Sequence, residues 1–262
     1  MHGLRGLMLL GVPLGGGAAG ISDPTEVIGL KAWIDFSDSA SLYQDSSGAT
    51  PVASDGDPIG LANNKSSVNA DAKQDTTAAK PTWKLNVQNG LAVARFDGGD
   101  TLSFPVVGDL CAALDPADFS VFVVCAAASG SGLRFSFGSR YTVGPGARVY
   151  LGNADTEIYA QVGNPASVDF ETASLTYFQF YIHCLTDVSG ANATSFVNGG
   201  VGESAAFTNA PLVSFVNIGS YEGTSNFYLG DIGEVLVYTS LSADDIVKVT
   251  GYLAKKWGIT LT

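Results

Sequence analysis

FSVFVVCAAA, residues 119–128, is the stretch on which the fold turns. An apolar run this rich in Val and Phe fits a central strand buried on both of its faces. Shorter runs on either side alternate with period two, the spacing of a half-buried strand. Leu30, Ala32, Ile34 and Phe36 fall on one face of 30–36, and Leu133, Phe135 and Phe137 alternate with Arg134 and Ser136. In Thr176–Cys184 the pattern puts Phe178, Phe180, Ile182 and Cys184 on one face. Tyr177, Gln179, Tyr181 and His183 then line the other, which is aromatic and polar.

Between these runs lie residues that tolerate positive φ: Asp97-Gly98-Gly99-Asp100, Gly144-Pro145-Gly146 and Asn198-Gly199-Gly200. Val197–Val201 reads as a tight hairpin. About a dozen such strands, with no long helical patterns between them, predict an all-β antiparallel sandwich or barrel. One α-helix closes the chain. Ser242 is a good N-cap, and Asp244 and Asp245 stand in the first turn, where the helix dipole favours acids. Ile246, Val249, Leu253 and Trp257 form the apolar stripe, Lys255 and Lys256 the last turn, and Gly258 the C-cap. The helix is expected over 242–257.

Two segments depart from this pattern. Residues 45–82, rich in Ser, Asp, Asn, Ala and Lys, show little periodicity and read as a long surface excursion. Residues 1–29 read as an extended apolar arm. Seven of the chain's 32 glycines fall in the first twenty residues, around Leu7, Met8, Leu9, Leu10, Val12 and Leu14. Gly11 and Pro13 interrupt that run well short of the roughly 20 apolar residues a membrane helix needs. A targeting reading takes Arg5 as the n-region and 7–14 as a short h-region. The arm reading makes the same residues an assembly contact.

Composition narrows the function. Only 15% of the 262 residues are charged, against about 25% in an average soluble domain. The net charge of −12 disfavours a phosphate backbone or an anionic membrane as partner. Cys111, Cys125 and Cys184 are widely spaced and make neither a disulfide framework nor a zinc motif. The latter two read as small buried hydrophobes in a chain made in a reducing compartment.

Several blocks resemble a known family. Ala32-Trp33-Ile34-Asp35-Phe36-Ser37-Asp38, Leu42-Tyr43-Gln44-Asp45 and Asp55–Gly60 are similar to the opening of phage-encoded laminin-G-like jelly rolls. Lys80-Pro81-Thr82, Asn89-Gly90 and Phe96-Asp97-Gly98 resemble the next block, and Gly230–Tyr238 with Tyr252–Gly258 the ending. The resemblance runs over about residues 30–260. It implies the concanavalin A-like lectin/glucanase fold, with a jelly-roll sandwich over 30–262. Asn63-Asn64-Lys65-Ser66-Ser67 departs from the family's Asp-Lys-Ser-Gly-type turn, so no metal or sugar role carries over there.

The resemblance implies a non-enzymatic virion protein, a capsid decoration or a tail or fibre component, anchored by its arm. Its partners would be other virion proteins and further copies of itself. It would be made in the host cytoplasm and carried on the particle. The alternative is a lectin-like glycan-binding module using Tyr177, Gln179, Tyr181 and His183. A glycoside hydrolase is disfavoured, because the Glu-x-Asp-x-x-Glu run of catalytic members of this fold class is missing. Asp231 and Glu234, three apart, would fall on opposite faces of a regular strand. No Gly-x-Ser-x-Gly elbow is present. The resemblance leaves calcium as the metal to consider, with Asp97 and Asp100, and also Asp55 and Asp57, as oxygen ligands. Asp-Gly turn chemistry is the competing account of these acids.

Overall fold

Among the described residues seventeen strands form, the longer ones where the alternating or apolar runs stand between turns. In the computed structural model the described residues are 20–104, 110, 119–128, 132–140, 148–154, 156–163, 167–188, 192–200, 202–206, 215–221, 223–239 and 241–262. The expected arm residues Leu7, Met8, Leu9, Leu10, Val12 and Leu14, and Cys111, lie outside them. In chain order the strands are β1 (Leu30–Asp35), β2 (Leu42–Tyr43), β3 (Leu61–Ala62), β4 (Ala72–Lys73), β5 (Thr82–Gln88) and β6 (Leu91–Asp97). Next come β7 (Leu102–Phe104), β8 (Phe119–Ala127), β9 (Leu133–Arg140), β10 (Arg148–Ala154), β11 (Glu157–Gly163) and β12 (Ser167–Ser174). The last are β13 (Tyr181–Val188), β14 (Asn192–Val197), β15 (Glu203–Ala206), β16 (Phe215–Ile218) and β17 (Leu229–Thr239), followed by helix α1 (Ala243–Trp257).

The strands make two antiparallel sheets. One runs β15-β14-β13-β8-β17-β6-β5, with β1 also paired to β17; the other runs β12-β11-β10-β9-β16-β7-β4-β3-β2. β8 is buried along its whole length, as its composition predicts. Its alternate residues Phe119, Val121, Val123, Cys125 and Ala127 enter the core between the sheets. Phe122, Val124 and Ala126 point the other way, into a second apolar layer under α1. That second layer explains the unbroken apolar run: a strand covered by a sheet on one side and a helix on the other has no face left for polar residues.

Helix α1 keeps its expected ends. The Ser242 side chain accepts from the Asp245 N–H, and Gly258 takes the left-handed conformation at φ 64°. Val249, Leu253 and Trp257 are buried against the sheet, and burying a side chain of this size contributes about 1.5–3 kcal/mol. The hairpin expectation at Asn198-Gly199 also holds. Both have positive φ, at 51° and 72°, and the Gly200 N–H donates to the Val197 carbonyl at 2.9 Å.

Three expectations need correction. Residues 45–82 are more than a surface excursion: β3 and β4 join the edge of the second sheet, and Val52, Ile59, Ala62, Ala70 and Ala72 enter the core. Strands of two residues are too short to show a period. Residues 20–29, read as part of the arm, pack on the body instead. Val27 is buried, and the Pro24 carbonyl accepts from the Tyr238 hydroxyl at 2.9 Å. Phe135 and Phe137 do not share a face. A register shift in the β9–β10 pairing sends Phe137 into the core and Phe135 outward, against Tyr150 and Tyr159.

Candidate functional site

β17 pairs with β6 over its first half and with β1 over its second. It makes that change at a β-bulge, where Gly233 is the extra residue between Ile232, opposite Cys125, and Glu234, opposite Val124. A bulge adds one residue, so it reverses the alternation beyond it. Asp231 and Glu234 therefore lie on the same face, contrary to the expectation for a regular strand. Glycine is required at the bulge because a Cβ there would lie 2.6 Å from the Trp257 ring. Asp231 pairs with Arg95 through two bonds of 2.7 and 2.8 Å.

Glu234 is enclosed beneath α1 and accepts from four donors. Trp33 Nε1 and Tyr252 Oη reach Oε1 at 2.7 and 3.2 Å, and Lys256 Nζ and Trp257 Nε1 reach Oε2 at 2.8 Å each. Lys256 also bonds Asp35 at 2.8 Å, while Lys65 bridges Asp35 and Asp38 and stands 4.1 Å from the Trp33 ring centroid. Burial and the nearby Asp35 push the Glu234 carboxyl above its usual range, with Lys256 pulling it back. Burial pushes Asp35 up too, but Lys256, Ser37 and Lys65 outweigh it and hold that carboxyl below its ordinary value. The 63–67 turn laces the same network to β1, since the Asn64 side chain bonds the Trp33 N–H and the Lys31 carbonyl. These acids are occupied in holding the helix to the sheet.

At the start of β13 the two sheets leave a cleft of about 260 Å³, lined by Ile158, Ser174, Thr176, Gln179, Tyr181 and Asn198 among others. The chain enters it through a turn. Residues 176–180 are not strand, as period two suggested; the Gln179 N–H donates to the Thr176 carbonyl and the Phe178 N–H to the Ala127 carbonyl. Phe178 has a φ of 63° and stands 75% exposed. Its expected burial with Phe180 and Ile182 is thus overturned. A bulky residue in the left-handed region costs roughly 1–2 kcal/mol, and such outliers cluster at ligand-binding sites.

The opposite wall comes from the β14–β15 turn and the last residue. Asn198 accepts from the Ile182 N–H through Oδ1 at 2.8 Å, and its carbonyl accepts from the Thr262 N–H at 3.0 Å. A Cβ on Gly200 would lie 2.6 Å from Thr262 Oγ1, so the two residues are packed closely here. The cleft thus offers an aromatic ring, amides and hydroxyls on a wall tied down by backbone hydrogen bonds.

The four residues expected to share one polar face separate. Gln179 and Tyr181 line the cleft, and Tyr177 packs half-buried against the core. His183 is fully buried, because its side of β13 faces the opposite sheet. Its Nε2 lies 3.1 Å from Ser195 Oγ, and burial lowers its pKa to about 3, leaving a neutral ring. The apolar side of β13, with Phe180, Ile182 and Cys184, lies under α1. The pattern identified two faces correctly; the half-solvated strand it implied does not exist.

The proposed calcium acids are turn residues. Asp97 Oδ1 accepts from the Gly99 N–H, and Asp100 Oδ2 from the Asp97 N–H, both at 2.8 Å. Asp55 pairs with Lys84, and Asp57 accepts from the Ala53 and Ser54 N–H groups. Among the described residues no three His, Cys, Asp or Glu side chains group as a metal site. No helix among them is long and apolar enough to cross a membrane. Outside the second sheet, Phe135, Tyr150, Tyr159 and Tyr221 form an aromatic group that alternation alone could not locate. Gln161 extends it by bonding Tyr159 Oη and Asp169.

No family model matches the chain, and no curated protein does. Solved structures do. A Trypanosoma rangeli sialidase in complex with the inhibitor DANA is similar with a TM-score of 0.55 and 15% identity over 84% of this chain. The chain spans about a third, 32%, of that sialidase. Domain 4 of AbnA, a GH43 extracellular arabinanase from Geobacillus stearothermophilus, in complex with arabinotriose, has a TM-score of 0.55 and 15% identity over 85% of this chain and 98% of that domain. The CBM40 of a Ruminococcus gnavus IT-sialidase bound to α2,3 sialyllactose has a TM-score of 0.50 and 15% identity over 60% of this chain and 95% of that one. At such identities the likeness shows the fold alone, an antiparallel β-sandwich.

Proposed function

We propose that the chain is a glycan-binding module that acts without catalysis. The observation that carries the reading is a cleft lined by Thr176, Gln179, Tyr181 and Asn198, with the exposed and strained Phe178 ring borne on the same turn, next in sequence to Gln179. Sugars offer an apolar C–H face and an equatorial girdle of hydroxyls. An aromatic side chain takes the first, and amides and hydroxyls take the second. The volume is just under the roughly 300–1,000 Å³ of drug-sized ligand pockets, which suits one sugar ring of a longer chain. Two of the neighbouring folds are bound to arabinotriose and to sialyllactose, which supports the class of ligand without choosing its member.

Catalysis is set aside on the state of the carboxylates. The bulge brings Asp231 and Glu234 to one face, but Arg95 occupies the first and four donors enclose the second. The test is titration with an oligosaccharide panel, comparing wild type with Phe178→Ala. Saturable binding by the wild type that weakens at least tenfold in the variant supports the reading. A panel that the wild type does not bind, or turnover of a polysaccharide, overturns it.

A second reading keeps the particle-borne structural role, supported by the sequence resemblance and the apolar segment 1–19. None of the solved structures just named is a virion protein. A mass-spectrometric inventory of purified particles tests this role, and absence of the chain from them overturns it.

A further inference from the structure

From Val149 to Val247 the sequence holds eleven Asp or Glu residues and no Lys or Arg. Both walls of the cleft come from this stretch, with Thr262 added at the end of the chain. The chain's cations lie elsewhere in the sequence, and several are already engaged. Lys65 bridges Asp35 and Asp38, Lys84 bonds Asp55, Arg95 bonds Asp231, and Lys256 bonds Asp35 and Glu234. The described lining of the cleft carries amides, hydroxyls, an aromatic ring and aliphatic groups, and none of these side chains has a formal charge.

A carboxylated sugar is normally held by a cationic side chain, most often a bidentate Arg, because its charge loses hydration on entering a pocket. None of the described lining side chains is of that kind, and the acidic stretch that supplies them repels an anion at long range. We infer that the cleft takes an uncharged sugar ring and discriminates against sialic and uronic acids. The inference rests on the glycan-binding reading above and adds the chemical class of the ligand. Gln179 is the position that sets the preference, being exposed at the rim of the lining. A cation placed there would face an entering carboxylate.

The experiment titrates the full chain with neutral sugars (lactose, arabinotriose, cellobiose) and with α2,3-sialyllactose and trigalacturonic acid, at 20 and 300 mM NaCl. Binding of at least one neutral sugar at least tenfold tighter than either acidic one is the expected result. The gap should narrow at the higher salt, where the Debye length falls to several ångströms. Gln179→Lys should bring sialyllactose to within about threefold of lactose, with an unchanged thermal midpoint as the check on folding. An acidic sugar bound as tightly as the neutral ones overturns the inference and leaves the glycan-binding reading in place. Failure of every sugar to bind overturns both.

Discussion

The polar group beneath α1 and the cleft between the two sheets treat their polar residues in opposite ways. Under the helix, Glu234 receives four donors and Lys256 holds two acids, so charges buried from water are compensated at each atom named. At the cleft, Thr176 and Gln179 of the lining stand exposed, and Phe178 between them in sequence is held exposed at a φ that opposes its own side chain. The first arrangement holds the helix to the sheet. The second lowers stability, and a binding role accounts for its presence. Buried acidity here is architecture, and the exposed aromatic is the better marker of function.

The strongest way to break this contrast is Glu234→Ala. Removing one partner of a buried charge network leaves two indole N–H groups and the Tyr252 hydroxyl without their acceptor and Lys256 with Asp35 alone, and costs about 3–5 kcal/mol. Urea unfolding should show that loss, while sugar affinity, measured under conditions where the variant stays folded, should stay within about twofold. A loss of stability below about 1 kcal/mol would show that water or a neighbouring group replaces the carboxylate.

Asp100 sharpens the comparison by showing a buried acid near no stabilising cation. Burial and the nearby Asp97 raise its pKa to about 7, against a bond from the Asp97 N–H that lowers it. A carboxyl raised in the folded state binds its proton more tightly there than in the unfolded chain. Its contribution is therefore full below the unfolded value of 3.8 and is lost as pH rises through about 7. Asp100→Asn should flatten that decline and be the more stable protein at pH 8, by at least about 2 kcal/mol, since a tenfold change in proton affinity is worth about 1.4 kcal/mol. Thermal midpoints of the two proteins at pH 4, 6 and 8 test this, and parallel pH profiles would refute it.

Phe178→Gly has the smallest effect on stability, with the sign opposite to that of Glu234→Ala. Relief of the left-handed strain should raise stability by about 1 kcal/mol, less what glycine adds to the freedom of the unfolded chain. The same change should weaken sugar binding at least tenfold. If the variant is less stable than wild type, Phe178 is held by packing, and the reading of its strain as functional fails.

Much of the fold was legible because its signals are local. Ser242, Asp245 and Gly258 cap the helix as their chemistry requires, and Asn198-Gly199 makes its turn because both tolerate positive φ. The central strand showed in its composition. The site was far less legible. Phe178 occupies a position that period two assigns to the core, and its neighbours 176–180 form a turn stabilised by the Ala127 carbonyl, about fifty residues away in sequence. His183 looked available because alternation separates the two faces of a strand without saying what covers each. Asp231 and Glu234 change their relation through one unpaired residue, Gly233, which is needed there because Trp257 packs against it.

By itself the sequence determined the all-β class, the double burial of Phe119–Ala127, the terminal helix with both its ends, and an acidic surface unsuited to phosphate. These follow from interactions within a few residues or from composition, so no partner strand need be known. Tertiary structure alone decided that β13 is covered on both faces, that Glu234 lies under α1 among four donors, and that Phe178 stands exposed on a turn whose neighbours line a cleft. Each of those depends on chain segments tens to hundreds of residues apart meeting in one register. A single bulge is enough to reverse which side chains face inward.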